Sequence, residues 1–367
     1  MADIFDYIIW RGDLTLRQDP LNCVDAMIFS QMAYFPFDGL WSEEEDGTIT
    51  LKEAHRRLAQ KMARGYAPQF LMEKDRNLFP AMAASARFGS LKLRNYVNRI
   101  DVDQEKQFSA VTVLLPEGTF IVYRGTDNTL VGWKEDFNMT FTTPVPAQRD
   151  AVEYFAGMAA EVPGKIWLGG HSKGGNLAMY TGMFCGEQLR ERIAEIYSYD
   201  GPGFSCRAVT EEIFRRLDGI LQSFVPQASI VGMMMEQDAK HTVVHSRQIG
   251  FHQHDLYNWD IVGADFVRMS GLKAGSLFVD KTLQDWFAKL EPERRAAFVD
   301  AVFEIFYATN AASFNEIKQN LMKNTAIILK RVKELDPETR KMVMETLQLL
   351  KMSAKEKLPE FLPKVKH

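Results

Sequence analysis

The spacing of apolar residues changes character along the chain and divides it into three stretches. Over residues 24–34 apolar side chains recur at helical spacing behind Asp19-Pro20, a helix-start signal. Residues 51–65 form a charged amphipathic segment closed by Gly65, and 81–86 offers another helix, so residues 1–100 read as mostly helical. The pattern shifts at Phe108. Ser109 to Leu115 is β-branched and apolar, Pro116-Glu117-Gly118 is a turn, and Thr119 to Tyr123 resumes strand character, which together predict a hairpin. Short apolar runs then predict strands at 165–169, 194–200, 220–226 and 241–247, with a helix over 174–187 between the first two. Strands alternating with helices imply a mostly parallel sheet covered on both faces, and the hairpin adds an antiparallel part, making the sheet mixed. From about residue 278 the chain turns helical. Pro292 suits a first helical position, Ser313-Phe314-Asn315-Glu316 reads as a capping box, and Asp336-Pro337-Glu338 as an N-cap followed by proline. The end, Lys355 to His367, carries Pro359 and Pro363 among lysines and is expected to be loosely ordered. The expected organisation is an α/β unit over 1–277 with a helical N-terminal region, and a helical region over 278–367 packed on it, since no Gly/Ser-rich linker intervenes.

Composition narrows the functional classes. A chain of 367 residues, 46% of them hydrophobic, can bury one large core or two modest ones. The net charge of −4 and the lack of a long basic block argue against nucleic acid as a partner. Cys23, Cys185 and Cys206 are scattered and odd in number, which predicts neither a disulfide framework nor a metal knuckle. The N-terminus lacks a basic start and apolar core, and no run reaches the roughly 18–20 apolar residues that cross a bilayer. These features lead us to expect a cytoplasmic location.

The chemistry centres on Gly170-His171-Ser172-Lys173-Gly174, a G-x-S-x-G pattern between an apolar strand and a helix. A serine at such a bend, the nucleophile elbow, is pushed out of the backbone, and small glycines let strand and helix approach. Serine needs a neutral imidazole to take its proton and a carboxylate to orient that imidazole, in the chain order Ser, acid, His. The histidines downstream are His241, His245, His252 and His254. His254 lies in the polar loop Phe251-His252-Gln253-His254-Asp255 after the last strand and is the chosen base, with His252 as its competitor. His241 and His245 sit in the strand and are assigned to sheet contacts. His171, the variable residue of the elbow, is expected to aim away from the nucleophile. For the acid, Asp200 ends strand 194–200 at the carboxyl edge, where ligands and catalytic groups collect. Asp238 and Asp255 are alternatives. The backbone N–H of Lys173 and that of Thr126, in Tyr123-Arg124-Gly125-Thr126-Asp127, are the expected oxyanion donors.

Together these residues resemble the class 3 (fungal-type) lipases. In those proteins an Arg-Gly-Ser/Thr segment supplies the oxyanion hole, a Trp and an Asp follow, and the elbow reads Gly-His-Ser-x-Gly-Gly. The matching residues are Arg124-Gly125-Thr126, Trp133 with Asp136, and Gly170 to Gly175. The similarity is greatest to a bacterial branch of lipase-like α/β-hydrolase proteins of unestablished biological role. That branch also matches Phe5-Asp6-Tyr7, Trp10 to Asp13, Asp200 to Phe204, Gln253-His254-Asp255 and Trp259. The resemblance implies an α/β-hydrolase fold. One departure stands out. Class 3 lipases usually place the acid in an Asp-x-Val-Pro-like segment, and in Val225 to Val231 it is Ser229 that stands near that position. Either the acid has moved to Asp200 or the triad is weakened. Lys173 is a second oddity, since an apolar residue is common there and a cation beside the nucleophile would favour anionic substrates.

The expected activity is that of a serine esterase, cleaving lipid or other apolar acyl esters through an acyl-enzyme, with no cofactor. Met233-Met234-Met235 and the Trp133-Phe137-Phe141 spacing are candidates for an acyl pocket and a lid helix, though core packing is the simpler expectation for both. The contrasting expectation is a catalytically weak or inactive α/β-hydrolase scaffold that binds a ligand or partner. A metal site built from the downstream histidines lacks a clustered carboxylate or cysteine set. Transient contact with a membrane surface is compatible with a lipid substrate, and the sequence leaves the oligomeric state open.

Overall fold

The computed structural model describes residues 1–41, 47–204, 208–235 and 240–361. Among these, eight strands form one sheet whose spatial order follows chain order: β1 (Thr48–Thr50), β2 (Lys92–Asp101), β3 (Lys106–Leu115), β4 (Gly118–Tyr123), β5 (Lys165–His171), β6 (Ile193–Tyr199), β7 (Leu221–Pro226) and β8 (His241–Val244). β1 to β4 pair antiparallel, and β4 to β8 pair parallel. The protein therefore has an α/β architecture with a mixed, mostly parallel sheet.

Alternation along the central strands divides their side chains between two cores. Val111, Val113, Phe120 and Val122 face one core, while Phe108, Ala110, Ile121 and Tyr123 face the other. The first core is closed by α1 (Ile4–Arg11), α2 (Cys23–Met32), α3 (Leu51–Ala63) and α4 (Asp75–Ala84). α5 (Leu130–Asn138) follows β4, and α6 (Pro146–Glu161) and α7 (Lys173–Phe184) cover the second face. Short helices α8 (Glu187–Arg190) and α9 (Glu211–Phe214) lead into β6 and β7.

The helical start holds, except that β1 and β2 stand where residues 1–100 were expected to be helical. β2 hides from a periodicity reading because it is an outer strand. Its sequence is polar, most of its residues are partly or fully exposed, and its register shifts between Arg94 and Val97, where Asn95 takes a positive φ of 49°. The last strand is shorter than expected, so His245 lies just beyond β8.

The C-terminal helices are α10 (Ala274–Ala288), α11 (Pro292–Tyr307), α12 (Phe314–Gln319), α13 (Leu321–Glu334) and α14 (Pro337–Phe361). Pro292 opens α11, Ser313 caps α12 by accepting from the Glu316 N–H, and Asp336 caps α14, as the start signals indicated. The expectation of loose order from Lys355 onward is corrected as far as Phe361, where α14 ends, and residues 362–367 lie outside the described part. This region grips α5. Lys134 Nζ pairs with Asp300 at 2.8 Å, Arg295 Nη1 donates to Thr140 O at 2.8 Å, and Leu130 N donates to Ala312 O at 2.9 Å. Phe303 and Phe314 stack edge-on against Phe137 and Trp133.

Candidate active site

Ser172 sits between β5 and α7 with φ 57° and ψ −130°, a conformation that costs on the order of 1–3 kcal/mol for a residue bearing a Cβ. The surrounding glycines make this bend possible. A Cβ on Gly174 would lie 2.1 Å from Tyr123 O, and one on Gly170 would lie 2.3 Å from the Gly174 carbonyl carbon. The bend is tied down by Ser172 N–H donating to Tyr199 O at 2.9 Å. Lys173 is the first residue of α7, so its backbone N–H has no partner within the helix.

Ser172 opens into a cavity of about 500 Å³ that is also lined by His254, His171, Thr126 and Asp136. His254 arrives on the loop after β8, in a short 3-10 turn over Gly250–His254. Its Nδ1 donates to Asp200 Oδ2 at 2.7 Å. Asp200 is buried at the end of β6, itself at a positive φ of 49°. Its other oxygen, Oδ1, accepts from Ser229 Oγ and from Gly232 N–H at 3.1 Å. Ser229, the residue standing where a carboxylate was expected, thus hydrogen-bonds the carboxylate at the end of the neighbouring strand. Gly232 is required for that bond, because a Cβ there would fall 2.3 Å from Asp200 Oδ1.

The other histidines are separated from this pair. His241 Nδ1 lies 2.9 Å from Ser223 Oγ on β7, and His245 Nδ1 lies 2.6 Å from Asp260. His252 is exposed at the cavity rim. Asp255 caps the next turn by accepting from Tyr257 N–H, away from the His254 ring's partner. Asp238 lies outside the described residues.

Two expectations need correction. Lys173 does not put its charge beside the nucleophile. Its ammonium is buried and donates to Gln107 O (2.9 Å), Gln107 Oε1 (2.9 Å) and Glu135 Oε2 (3.0 Å). Glu135 also accepts from the N–H groups of Gln107 (3.0 Å) and Ala147 (2.8 Å), so the buried charges are matched. This pair locks the start of α7 to α5.

Nor does His171 aim away from the site. Its ring packs on that of His254, centroids 4.3 Å apart, and its Nε2 is 2.8 Å from His254 O. A carbonyl can only accept, so Nε2 carries the proton and Nδ1 offers its lone pair to Tyr34 Oη, 3.3 Å away. Tyr34 in turn accepts from the backbone of Gly125. Burial first, then the neighbouring His254, holds the His171 imidazole well below the usual histidine range, so it stays neutral.

Tyr34 ends the apolar segment 24–34, but no motif points to a role at the site, and only proximity in the fold reveals it. It explains Gly125: a Cβ there would lie 2.2 Å from Tyr34 Oη and 2.5 Å from His171 O. The chain from Gly125 through Tyr34 and His171 to His254 O ties the segment carrying Thr126 to the loop carrying His254. A second brace was equally hidden. Tyr257 Oη and Gln31 Nε2 both donate to buried Asp75 Oδ1 at 2.7 Å, anchoring the same loop to α2 and α4.

Thr126 Oγ1 donates to Asp136 Oδ2 at 2.5 Å. Burial outweighs the attraction of Lys173 and the Thr126 bond and pushes the Asp136 carboxyl up to about 6. The remaining wall is largely apolar, including Trp133, Phe137, Ile230, Met234 and Met235. Two of the three expected methionines and two of the three spaced aromatics therefore face the cavity.

With a bent serine, a carboxylate-held imidazole and the residue that opens α7 around one cavity, the arrangement has the parts of a nucleophilic site on an α/β sheet. Residues 82–304 match the Mbeg1-like family model, and the chain belongs to that family. Among solved structures it is similar to the Rhizomucor miehei lipase propeptide complex, at 13% identity over 60% of this chain and 67% of that one, with a TM-score of 0.35. It is also similar to M37 lipase, at 12% identity over 58% of this chain and 70% of that one, again with a TM-score of 0.35. No curated protein matches the chain.

Proposed function

We propose that the protein is a serine hydrolase of the α/β-hydrolase type that cleaves carboxylic esters with apolar acyl groups. The observation that carries this reading is the buried Asp200 holding His254 Nδ1 at 2.7 Å in the cavity onto which the strained Ser172 opens. In the reaction, Ser172 Oγ attacks the ester carbonyl carbon while His254 Nε2 takes its proton. The Thr126 and Lys173 N–H groups stabilise the oxyanion. The tetrahedral intermediate collapses as His254 protonates the leaving alkoxide, giving an acyl-Ser172. Water, deprotonated by His254, then releases the carboxylic acid and restores the serine. His171 sits against the imidazolium formed midway, and its neutrality keeps a second positive charge off that contact.

The apolar wall supports acyl or otherwise lipid-like substrates. Because the Lys173 charge is matched by Glu135, and that of Asp127 by Arg124, while Asp136 and Asp255 also line the cavity, neutral esters fit better than anionic ones. We also infer a cytoplasmic protein in which a hydrolase unit is followed by a helical region that opens with α10 at Ala274, four residues before the expected boundary at 278; among the described residues no helix is long and apolar enough to cross a membrane. Labelling with a fluorophosphonate probe tests the reading. Wild type should be modified at Ser172 and Ser172→Ala should not. An unlabelled wild type with no turnover of p-nitrophenyl butyrate would leave only a ligand-binding scaffold.

A further inference from the structure

We propose that the outward faces of α13 and α14 form a docking surface for anionic lipid bilayers. Charge is distributed unevenly along the chain. Residues 321–361, which span both helices, hold 9 Lys and Arg against 6 Asp and Glu, a net +3, whereas the whole chain is −4, leaving the other 326 residues at −7. The solvent faces of both helices interleave this positive charge with large apolar side chains.

On α14, Lys341, Met344, Leu347, Lys351 and Lys355 fall within roughly 120° of helical arc. Met344 is 60% exposed and Leu347 45%, while Thr346 and Ser353 on the opposite side are buried. Of the acids at the margin of this face, Glu345 is engaged by Arg294 at 2.8 Å, with Lys341 3.9 Å away, and Glu356 by Lys289 at 2.6 Å, while Glu338 at the start of the helix is exposed. Lys351 and Lys355 are exposed and make no ion pair among the described residues. α13 repeats the arrangement. Met322, 90% exposed, and Leu329, 57% exposed, line up with Lys333 and are flanked by Lys330, which lies 3.6 Å from Glu334, while Asn324 opposite is buried.

Single exposed apolar residues are ordinary on protein surfaces. Two helices that each present methionine and leucine among lysines, attached to an otherwise acidic body, match the composition of helices that lie in a bilayer interface. There the apolar tips enter the acyl boundary and the long lysine stems reach anionic headgroups. The inference is independent of the hydrolase reading, since none of these residues lines the Ser172 cavity.

The test is co-sedimentation of the full chain with phosphatidylcholine vesicles prepared with and without phosphatidylglycerol. The expected result is binding to the anionic vesicles alone, weakened at high salt. Lys341→Gln/Lys351→Gln/Lys355→Gln should lower the partition coefficient roughly 100-fold. Met344→Ser/Leu347→Ser should weaken binding as well, with thermal melts checking that both variants fold. Equal binding to neutral vesicles, binding to neither, or full binding by the triple variant would overturn the proposal. So would a wild-type dimer that the lysine substitutions dissociate, since the face would then belong to a second copy of the chain.

Discussion

Replacing Asp200 by asparagine tests the proposed acid with little change in shape. The two oxygens of Asp200 have different neighbours: Oδ1 accepts from Ser229 Oγ and Gly232 N–H, and Oδ2 accepts from His254 Nδ1. Gly232 N–H is a backbone donor with no alternative role, so the asparagine oxygen must occupy the Oδ1 position. The amide NH₂ then faces His254, where it can only donate, and His254 Nδ1 must become the acceptor. The ring proton moves to Nε2, the nitrogen needed to receive the Ser172 proton. An imidazole locked in the wrong tautomer costs about 10⁴ in kcat, or about 5.5 kcal/mol of barrier. Steady-state hydrolysis of p-nitrophenyl butyrate measures the loss, and nitrogen NMR of the His254 ring reports the tautomer. Retention of more than about a tenth of wild-type kcat, with Nδ1 still protonated, would refute the assignment of Asp200.

The same geometry yields further tests. Gly232→Ala places a Cβ 2.3 Å from Asp200 Oδ1, so the carboxylate must move, and hydrolysis should fall at least tenfold, about 1.4 kcal/mol, in a protein that still folds. Lys173→Met leaves Glu135 buried without its cation and should destabilise the protein by about 3–5 kcal/mol in urea unfolding; a loss under about 1 kcal/mol would show that the pair is not buried as described. His171 titrates near 6.5 when unfolded but stays neutral when folded, so its contribution to stability is present above that value and is lost as pH falls below it. Between pH 7 and about pH 5 the wild type should lose roughly 2 kcal/mol more than His171→Gln. Equal pH slopes in chemical denaturation would contradict that depressed value. Asp75 and Asp136, both raised to about 6, act with the opposite sign, favouring the fold at low pH and losing that advantage as pH rises through about 6, which is why the comparison with a variant is needed.

Legibility in the sequence followed burial and locality. The hairpin β3–β4 and the parallel strands β5 to β7 were readable because strands covered on both faces are short, uninterrupted apolar runs. β2 was not, because it is exposed, polar and bulged. The bend at Ser172 was visible because glycine spacing is a local property. The contacts that organise the cavity are not local. Tyr34 meets His171 across 137 positions, and Tyr257 meets Asp75 across 182. Lys173 shows the limit of reasoning from residue type. Its place beside the nucleophile was evident, but the direction of its side chain depends on Glu135, an acid on a helix that no motif connects to the elbow.

The relation between Asp200 and Ser229 bears on whether the departure from the lipase pattern disables the chemistry. β6 and β7 are adjacent parallel strands, with Tyr199 opposite Phe224, so the segments that follow them leave the same sheet edge side by side, about 4.8 Å apart. A carboxylate at either place can meet an imidazole brought by the loop after β8, because the imidazole requires an acceptor at its Nδ1 and is indifferent to the strand that supplies it. On the proposed assignment, moving the acid to the end of β6 also alters its support. There it has a buried site with two donors for Oδ1, supplied by Ser229 and Gly232 from the segment after β7. A hydroxyl is the residue type that this exchange calls for at 229, since it can donate to the carboxylate where a second aspartate would repel it. On this reasoning Ser229 is part of the acid's setting rather than the remnant of a lost one, and the departure by itself gives no ground for expecting a weakened triad.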